Sequence, residues 1–270
     1  MHPDSTSLPT RRRLLGGLAL AATAAATGGC AFAIPPTLPR MDVLRLPGPC
    51  PASSTAASTL LVLLPGAYSR PPEFIEAGFV EALRAQRTAA DVCIVDAHLG
   101  YYTDKSIVRR LRDEVVLPAR AQGTRRIWLV GISLGGFGAL GYAVRHGAEI
   151  DGVLALAPYL GPRRLMQEIA QAGGPAGWHA ATPAPVPGGD DLDRELWHAF
   201  AARAAAPTLP PVHLGYGRDD RFADAHRVFA DLLPAARVAS TPGGHDWPAW
   251  SALWQDWLAR GPLQPACAAA

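Results

Sequence analysis

One serine stands in a pattern that suits nucleophilic chemistry. Residues 131–135 read Gly-Ile-Ser-Leu-Gly, after an apolar run of strand length and before a segment with helical spacing. The glycines permit a sharp strand-to-helix turn, which lifts the serine hydroxyl out of the sheet. The helix N-terminus beneath it favours developing negative charge. We therefore predict that Ser133 is a nucleophile; the alternative is a glycine-rich turn with an incidental serine.

His245 is the predicted general base, because a serine hydroxyl needs a base within hydrogen-bond reach. It comes late in the chain, in a glycine-rich loop between a predicted strand and a predicted helix. That loop would place it at the carboxyl edge of the sheet, beside Ser133. Of the other histidines, His2 lies in the first segment, and His146 and His226 lie on predicted helix surfaces. His213 lies in a predicted strand, and His179 and His198 lie in a long insertion. His98 lies in a loop that also faces this edge.

Two adjacent carboxylates, Asp219 and Asp220, follow a predicted strand and compete for the role of acid. The acid must accept a hydrogen bond from the second imidazole nitrogen, which fixes the tautomer and stabilises the imidazolium. A Gly-x-x-Asp turn that starts at Gly217 favours Asp220. Asp219 would then be a helix N-cap or a solvated charge, and Asp246 is predicted to cap the last helix.

Short apolar segments alternate with amphipathic ones from about residue 58 onward, and these elements must position the reactive groups. The predicted strands are 59–64, 92–95, 127–132, 153–157, 212–216 and 237–240, with 42–46 as a further edge strand. The predicted helices are 72–86, 106–121, one that includes 137–144, 222–233 and 248–259. This alternation predicts an α/β fold, a mostly parallel sheet with helices on both faces.

The stretch 161–211 interrupts the alternation after the fourth of six predicted core strands. It is rich in glycine and proline and offers one helix near 191–204. Two interpretations stay open, a cap or lid over the carboxyl edge of the sheet and a loosely ordered surface loop. The predicted domain therefore runs from 58 to 260 with this insertion, between an N-terminal linker with the edge strand at 30–57 and a tail at 261–270.

The first residues have the features of an export signal. Three arginines at 11–13 precede an apolar run that is shorter than the roughly 20 residues of a membrane span. The pattern at 1–29 resembles a twin-arginine signal, and Thr-Gly-Gly-Cys at 27–30 resembles a lipobox that would lipidate Cys30. We expect an exported protein of the cell envelope or periplasm, anchored through Cys30. The alternatives are cleavage near 31–33 and an uncleaved anchor.

Charge and cysteine content exclude several classes. The net charge is +2, and the chain without residues 1–29 is neutral, whereas a nucleic-acid binder would be expected to carry a basic excess. Cys93 lies in an apolar run and is predicted to be buried. Cys50 and Cys267 can pair in an oxidising compartment, although the connectivity stays open. The sequence has no Cys-x-x-Cys or His-x-x-x-His pattern, so no metal or cofactor is implied.

Three turns, at 131–136, 217–220 and 244–247, resemble the signature turns of the α/β-hydrolase superfamily, and its small serine esterases in particular. The resemblance spans roughly residues 58–259. It implies the α/β-hydrolase fold and a triad of Ser133, His245 and Asp220 that transfers an acyl group to water. The three turns together are specific for fold and triad and say nothing about the substrate.

The resemblance also implies an oxyanion hole. In the family one donor is the backbone N–H after the nucleophile, here Leu134, and the second comes from the loop after the first strand of the domain. Ala67 is the predicted second donor. Because Pro65 departs from the His-Gly that the family commonly has at this point, Tyr68 remains an alternative.

Four side chains at the same edge are candidates for substrate binding: Tyr68, His98, Tyr101 and Tyr159. For His98 the alternative is that it satisfies backbone groups in a tight loop. The predicted function is an exported serine hydrolase that cleaves a small-molecule carboxylic ester through an acyl-enzyme. Thioesters, peptides and polyesters remain alternative substrates for the same triad. The alternative from another class is a catalytically idle, hydrolase-like binding lipoprotein, and the oligomeric state stays open.

Overall fold

The computed structural model describes residues 34–49, 59–202, 209–261 and 263. The predicted export signal at 1–29, the lipidation site Cys30 and the cysteines of the Cys50–Cys267 pair lie outside the described residues. Within them, no helix is long and apolar enough to cross a membrane.

Seven strands form one sheet. They are β1 Val43–Leu46, β2 Thr59–Leu64, β3 Asp91–Val95, β4 Arg126–Ile132, β5 Gly152–Leu156, β6 Val212–Gly217 and β7 Val238–Thr241. Their order in the sheet is β1-β3-β2-β4-β5-β6-β7. The first strand runs antiparallel to β3, and every other pairing is parallel. The predicted α/β fold with its edge strand is confirmed.

The central strands are continuous apolar runs because helices cover both faces of the sheet. All six residues of β2 are buried, and Val62 lies opposite Cys93 of β3 on one side and Leu129 of β4 on the other. Cys93 is a buried free thiol, as predicted.

Eleven α-helices are present among the described residues. They are α1 Pro71–Glu76, α2 Phe79–Ala85, α3 Leu99–Thr103, α4 Ile107–Leu111, α5 Leu117–Ala121, α6 Leu134–His146, α7 Arg163–Gln171, α8 Pro175–Ala181, α9 Leu192–Ala201, α10 Ala223–Ala230 and α11 Trp247–Ala259. Short 3₁₀ turns occur at Gly147–Glu149 and Ala235–Arg237.

Two predicted helices are not regular α-helices over their whole length. The segment 72–86 divides into α1 and α2 at Gly78, whose φ of +79° is a left-handed conformation that glycine adopts without a steric penalty. The segment 106–121 is continuous, but Arg112–Val116 is π-helical between α4 and α5. Pro118 has no N–H for the carbonyl of Glu114, and its ring crowds that carbonyl, so the wider turn relieves the conflict.

The insertion between β5 and β6 is partly helical over its described residues. It contains α7, α8 and α9, of which only α9 was predicted. Trp197 of α9 is fully buried and its indole N–H donates to the carbonyl oxygen of Leu160 at 2.7 Å. The described part of the insertion is therefore packed on the domain, and the interpretation as a cap or lid over the carboxyl edge stays a prediction.

Candidate active site

Ser133 lies at the junction of β4 and α6 in a strained backbone conformation. Its φ is +53° and its ψ is −113°, a region that non-glycine residues rarely adopt. Three backbone hydrogen bonds hold it there. Its N–H donates to Leu156 at 2.9 Å, and its carbonyl oxygen accepts from Phe137 at 3.1 Å and Tyr159 at 2.9 Å. The sharp turn predicted from the sequence is present at this position.

The glycines on either side of Ser133 have a steric reason. A β-carbon on Gly131 would lie 2.2 Å from the carbonyl oxygen of Gly135, and one on Gly135 would lie 2.2 Å from the carbonyl oxygen of Leu64. Because both of these oxygens are backbone atoms, a side chain at either position would distort the strand-to-helix turn that carries Ser133.

The structure brings Ser133, His245 and Asp220 together. The Nε2 atom of His245 lies 2.8 Å from Oγ of Ser133, and its Nδ1 atom lies 2.7 Å from Oδ2 of Asp220. His245 comes from the loop between β7 and α11, and Asp220 from the turn after β6. The side chains of His245 and Asp220 are 10% and 0% exposed, so the hydrogen-bonded chain is shielded from water.

Opposing effects act on the Asp220 carboxyl. Burial by itself would raise its pKa, but the hydrogen bonds from His245 and from the Phe222 N–H, at 2.8 Å, outweigh it and leave the pKa lowered. The group is therefore an ionised carboxylate near neutral pH. A carboxylate can only accept, so Nδ1 of His245 carries the proton and Nε2 accepts from the Ser133 hydroxyl.

Asp219 has a different environment from its neighbour. Its side chain is exposed, and one carboxylate oxygen accepts from the Gly243 N–H at 3.4 Å. Asp246, as predicted, caps α11, with Oδ1 accepting from the Ala249 N–H at 3.2 Å.

Two aromatic rings hold the plane of the His245 imidazole. Phe222 meets it edge to face at 5.2 Å between ring centroids, and Trp250 does so at 5.1 Å. Neither residue was singled out from the sequence. The sequence offers one signal for each: Phe222 follows Asp220 by two residues, and Trp250 follows His245 by five.

The loop after β2 lies beside the serine. A β-carbon on Gly66 would lie 3.5 Å from Cβ of Ser133, and the turn closes with the Ser69 N–H donating to the Gly66 carbonyl at 3.1 Å. Ala67 follows Gly66 in this turn. Leu134 is the first residue of α6, where a backbone N–H has no acceptor within the helix. Tyr68 is 79% exposed.

Two of the predicted substrate-binding side chains serve the fold. Nδ1 of His98 accepts from the Gly100 N–H at 3.2 Å and so caps α3, which is the alternative that the sequence left open. Tyr101 has no exposed surface; its hydroxyl accepts from the Leu38 N–H at 3.4 Å, and Arg110 lies over its ring. The prediction that Tyr101 lines the substrate pocket is wrong, because the short helix α3 turns it into the core.

Tyr159 lies where the sequence placed it, next to the serine. Its N–H bonds to the Ser133 carbonyl, its ring meets Phe137 edge to face at 5.6 Å, and it lines a cavity of about 430 Å³. His226, in contrast, is not on a helix surface as predicted. It is fully buried, with Nε2 2.9 Å from the carbonyl oxygen of Pro158.

Among the described residues, no group of three or more His, Cys, Asp or Glu side chains is arranged to hold a metal ion.

Fold and sequence together define the class of the molecule, a protein with the α/β-hydrolase fold whose sequence matches an esterase family. Residues 101–260, more than half of the chain, match the model of the Esterase family, described as "Putative esterase". The chain therefore belongs to this family. Comparison with curated proteins gave no match.

Solved structures share the architecture. S-formylglutathione hydrolase from Staphylococcus aureus superimposes with a TM-score of 0.56 at 14% identity, covering 83% of this chain and 98% of that one. Mycobacterium tuberculosis MPT51 gives 0.56 at 18% identity, with 83% and 94% covered. A monoacylglycerol lipase from Paleococcus ferrophilus gives 0.52 at 15% identity, with 82% and 97% covered. At these identities the similarity extends to the fold alone.

Proposed function

We propose that the protein hydrolyses a carboxylic ester through an acyl-enzyme formed on Ser133. The observation that carries the proposal is the continuous hydrogen-bonded chain from Asp220 through His245 to the Ser133 hydroxyl. Such a chain turns a weakly nucleophilic hydroxyl into a nucleophile at neutral pH.

The proton moves along this chain in both half-reactions. Nε2 of His245 takes the Ser133 proton as Oγ attacks the ester carbonyl, and the imidazolium then donates that proton to the departing alcohol. Asp220 stabilises the imidazolium and keeps the ring oriented. Nε2 then takes a proton from a water molecule as the water attacks the acyl-enzyme. The imidazolium returns that proton to Oγ of Ser133 as the bond between Oγ and the acyl carbon breaks, which releases the acid and restores the enzyme.

The developing oxyanion needs donors on the side of Ser133 that faces the loop after β2. We assign this role to the N–H groups of Leu134 and Ala67. The first is at the N-terminus of α6, and the second follows Gly66, where an added β-carbon would lie 3.5 Å from Cβ of Ser133. Two preorganised backbone donors of this kind are the usual arrangement, and loss of one typically costs about 10²–10³ in turnover.

A fluorophosphonate probe on the full-length protein tests the enzymatic assignment. We expect labelling of the wild type and of Ser240→Ala, a change at an exposed serine on β7, and none of Ser133→Ala. If a folded wild type takes up no label, the protein is a hydrolase-like binding protein.

Matched substrates test the bond that is cleaved. We expect nitrophenyl esters of graded acyl length to be turned over with a clear optimum. Thioester, anilide and polyester substrates with the same acyl group should react more slowly. Faster cleavage of any of these would replace the ester assignment and leave the triad in place.

Export and lipid anchoring are also part of the proposal, and the sequence features at 1–30 support them. We expect the mature protein to partition with membranes from cells that express the full chain. Cys30→Ala should release it into the soluble envelope fraction. Retention of the wild type in the cytoplasm would contradict export, and unchanged partitioning of Cys30→Ala would contradict lipidation.

A further inference from the structure

The cavity beside Tyr159 is suited to one side of a substrate. It has a volume of about 430 Å³ and lies between the segment that follows β5 and the segment that follows β6. Met166 of α7 lines it from the first segment, and Phe222 from the second. This size is within the range of small-molecule sites.

Two residues connect this cavity to the reactive groups. Tyr159 lines it and donates its N–H to the Ser133 carbonyl. Phe222 lines it too, and its ring packs edge to face against the His245 imidazole at 5.2 Å. The cavity is therefore lined by residues that directly contact Ser133 and His245.

The charged groups around the cavity are predominantly positive. Arg163 lines it from the start of α7, and Arg221 lines it from the turn before α10. Both side chains are exposed, and within the described part of the chain neither has a carboxylate in ion-pair range. The Arg221 guanidinium lies over the Phe222 ring at 4.9 Å, which holds it against the cavity wall.

One acidic residue, Asp224, also lines the cavity, but its charge is compensated. Its Oδ1 accepts from Nη1 of Arg227 at 2.6 Å, so the carboxylate belongs to an ion pair on α10. The cavity therefore presents two guanidinium groups and no unpaired carboxylate among the residues that line it. Guanidinium groups bind carboxylates in a planar, two-point geometry.

We propose that the substrate is an ester that carries a carboxylate on the acyl or alcohol portion, and that Arg163 and Arg221 bind this carboxylate. The inference rests on the proposed ester hydrolysis and specifies its substrate class. An apolar spacer between the ester and the carboxylate would pack against Tyr159, Met166 and Phe222.

The test compares two nitrophenyl esters of equal length, one ending in a carboxylate and the other in a carboxamide. The same comparison is repeated with alkyl esters that carry the terminal group on the alcohol portion, and each series covers several spacer lengths. The two terminal groups have nearly the same size, so the ratio of their kcat/KM values isolates the charge. We expect the carboxylate ester to be preferred in one of the series, and the preference to shrink as salt rises past about 0.15 M because exposed charges are screened.

Arg163→Gln and Arg221→Gln should each reduce the ratio by up to about fivefold, the upper end of the range for an exposed ion pair. Arg163→Glu should invert the preference toward an ester that ends in an ammonium group. The control is Arg164→Gln, also on α7, whose guanidinium is bound to Glu168 and does not line the cavity. It should leave the ratio unchanged.

The possible failures are distinguishable. If the wild type hydrolyses both esters equally at every spacer length, the carboxylate site is disproved and ester hydrolysis stands. A preference that survives in Arg163→Gln and Arg221→Gln assigns the selectivity to other residues and also overturns the inference. Absence of hydrolysis and of fluorophosphonate labelling would remove the proposed function, and this inference with it.

Discussion

Gly131 and Gly135 face each other across the turn that carries the serine, so closely that a β-carbon on Gly131 would lie 2.2 Å from the Gly135 carbonyl oxygen. We predict that Gly131→Ala destabilises the protein by about 1–3 kcal/mol, the range for overpacking, and lowers kcat/KM because Ser133 moves. Urea denaturation and ester turnover measure the two effects.

A matched substitution separates the clash from the general cost of losing a glycine. Gly173 has a φ of +79°, and a β-carbon there would meet nothing within 4 Å. Gly173→Ala should lose about 1 kcal/mol through left-handed strain and keep wild-type turnover. Full activity in Gly131→Ala would show that the conformation of the turn at Ser133 does not depend on the close approach of Gly131 and Gly135.

Asp220 and Asp219 are adjacent in sequence and should differ sharply in function. We predict that Asp220→Asn lowers kcat by up to about 10⁴, because an uncharged amide does not stabilise the imidazolium and its NH2 group can donate to Nδ1, which favours the wrong tautomer. Asp219→Asn, which changes an exposed side chain, should remain within a few fold of the wild type. Steady-state kinetics on one nitrophenyl ester measure kcat of the two variants. A larger loss of kcat in Asp219→Asn than in Asp220→Asn would assign the role of triad acid to Asp219.

The ion pair of Arg145 with Glu195 joins α6 to the insertion helix α9. Nη2 of Arg145 lies 2.7 Å from Oε2 of Glu195, and the side chains are only 15% and 11% exposed. Oε1 of Glu195 also accepts from the Gly188 N–H at 3.2 Å. We predict that Glu195→Ala lowers the free energy of unfolding by about 3 kcal/mol, because it leaves a guanidinium buried without its partner.

An exposed pair of similar length is the control for this prediction. Nη2 of Arg260 lies 2.9 Å from Oδ2 of Asp256, with side chains 50% and 44% exposed. Asp256→Ala should change the free energy of unfolding by less than about 1 kcal/mol, since water and salt screen the pair. If Glu195→Ala and Asp256→Ala lowered the free energy of unfolding equally, burial would not determine the strength of these ion pairs.

His213 should make the protein less stable in acid. Burial, together with the charges of Arg237 and Arg260, lowers the pKa of its imidazole to about 4. The unfolded chain takes up this proton near pH 6.5, so between roughly pH 6.5 and 4 the unfolded state binds more protons. The stability contributed by this group is therefore present above pH 6.5 and is lost as the pH falls toward 4.

Replacing His213 by phenylalanine keeps a ring between Trp128 and Trp257, whose centroids lie 5.8 and 6.0 Å from the imidazole. We predict that the slope of unfolding free energy against pH, measured by urea denaturation, becomes shallower between pH 6.5 and 4. An unchanged slope would show that the imidazole is already protonated in the folded state.

Some elements could not be predicted because contacts distant in sequence determine them. Gly100 has a low helix propensity, yet α3 forms around it, and a β-carbon there would lie 2.2 Å from the carbonyl oxygen of Pro35. The close approach of Gly100 to Pro35 requires glycine inside α3. This helix turns Tyr101 away from the carboxyl edge of the sheet, where Ser133 lies. Likewise, Leu165 and Ile169 are the two buried apolar residues of α7. Two such residues among the surrounding glycines and prolines are too weak a pattern to predict a helix.

The amino-acid sequence by itself determined the parallel sheet and the turn around Ser133. Continuous apolar runs and obligatory glycines act locally, through burial and backbone sterics. Only the tertiary structure decided between Asp219 and Asp220 as the partner of His245. It alone showed that Phe222 and Trp250 hold the imidazole and that two arginines share a cavity next to Tyr159. These relationships depend on distances between segments far apart in the chain; 112 residues separate Ser133 from His245. Such distances are set by how the helices pack on the sheet.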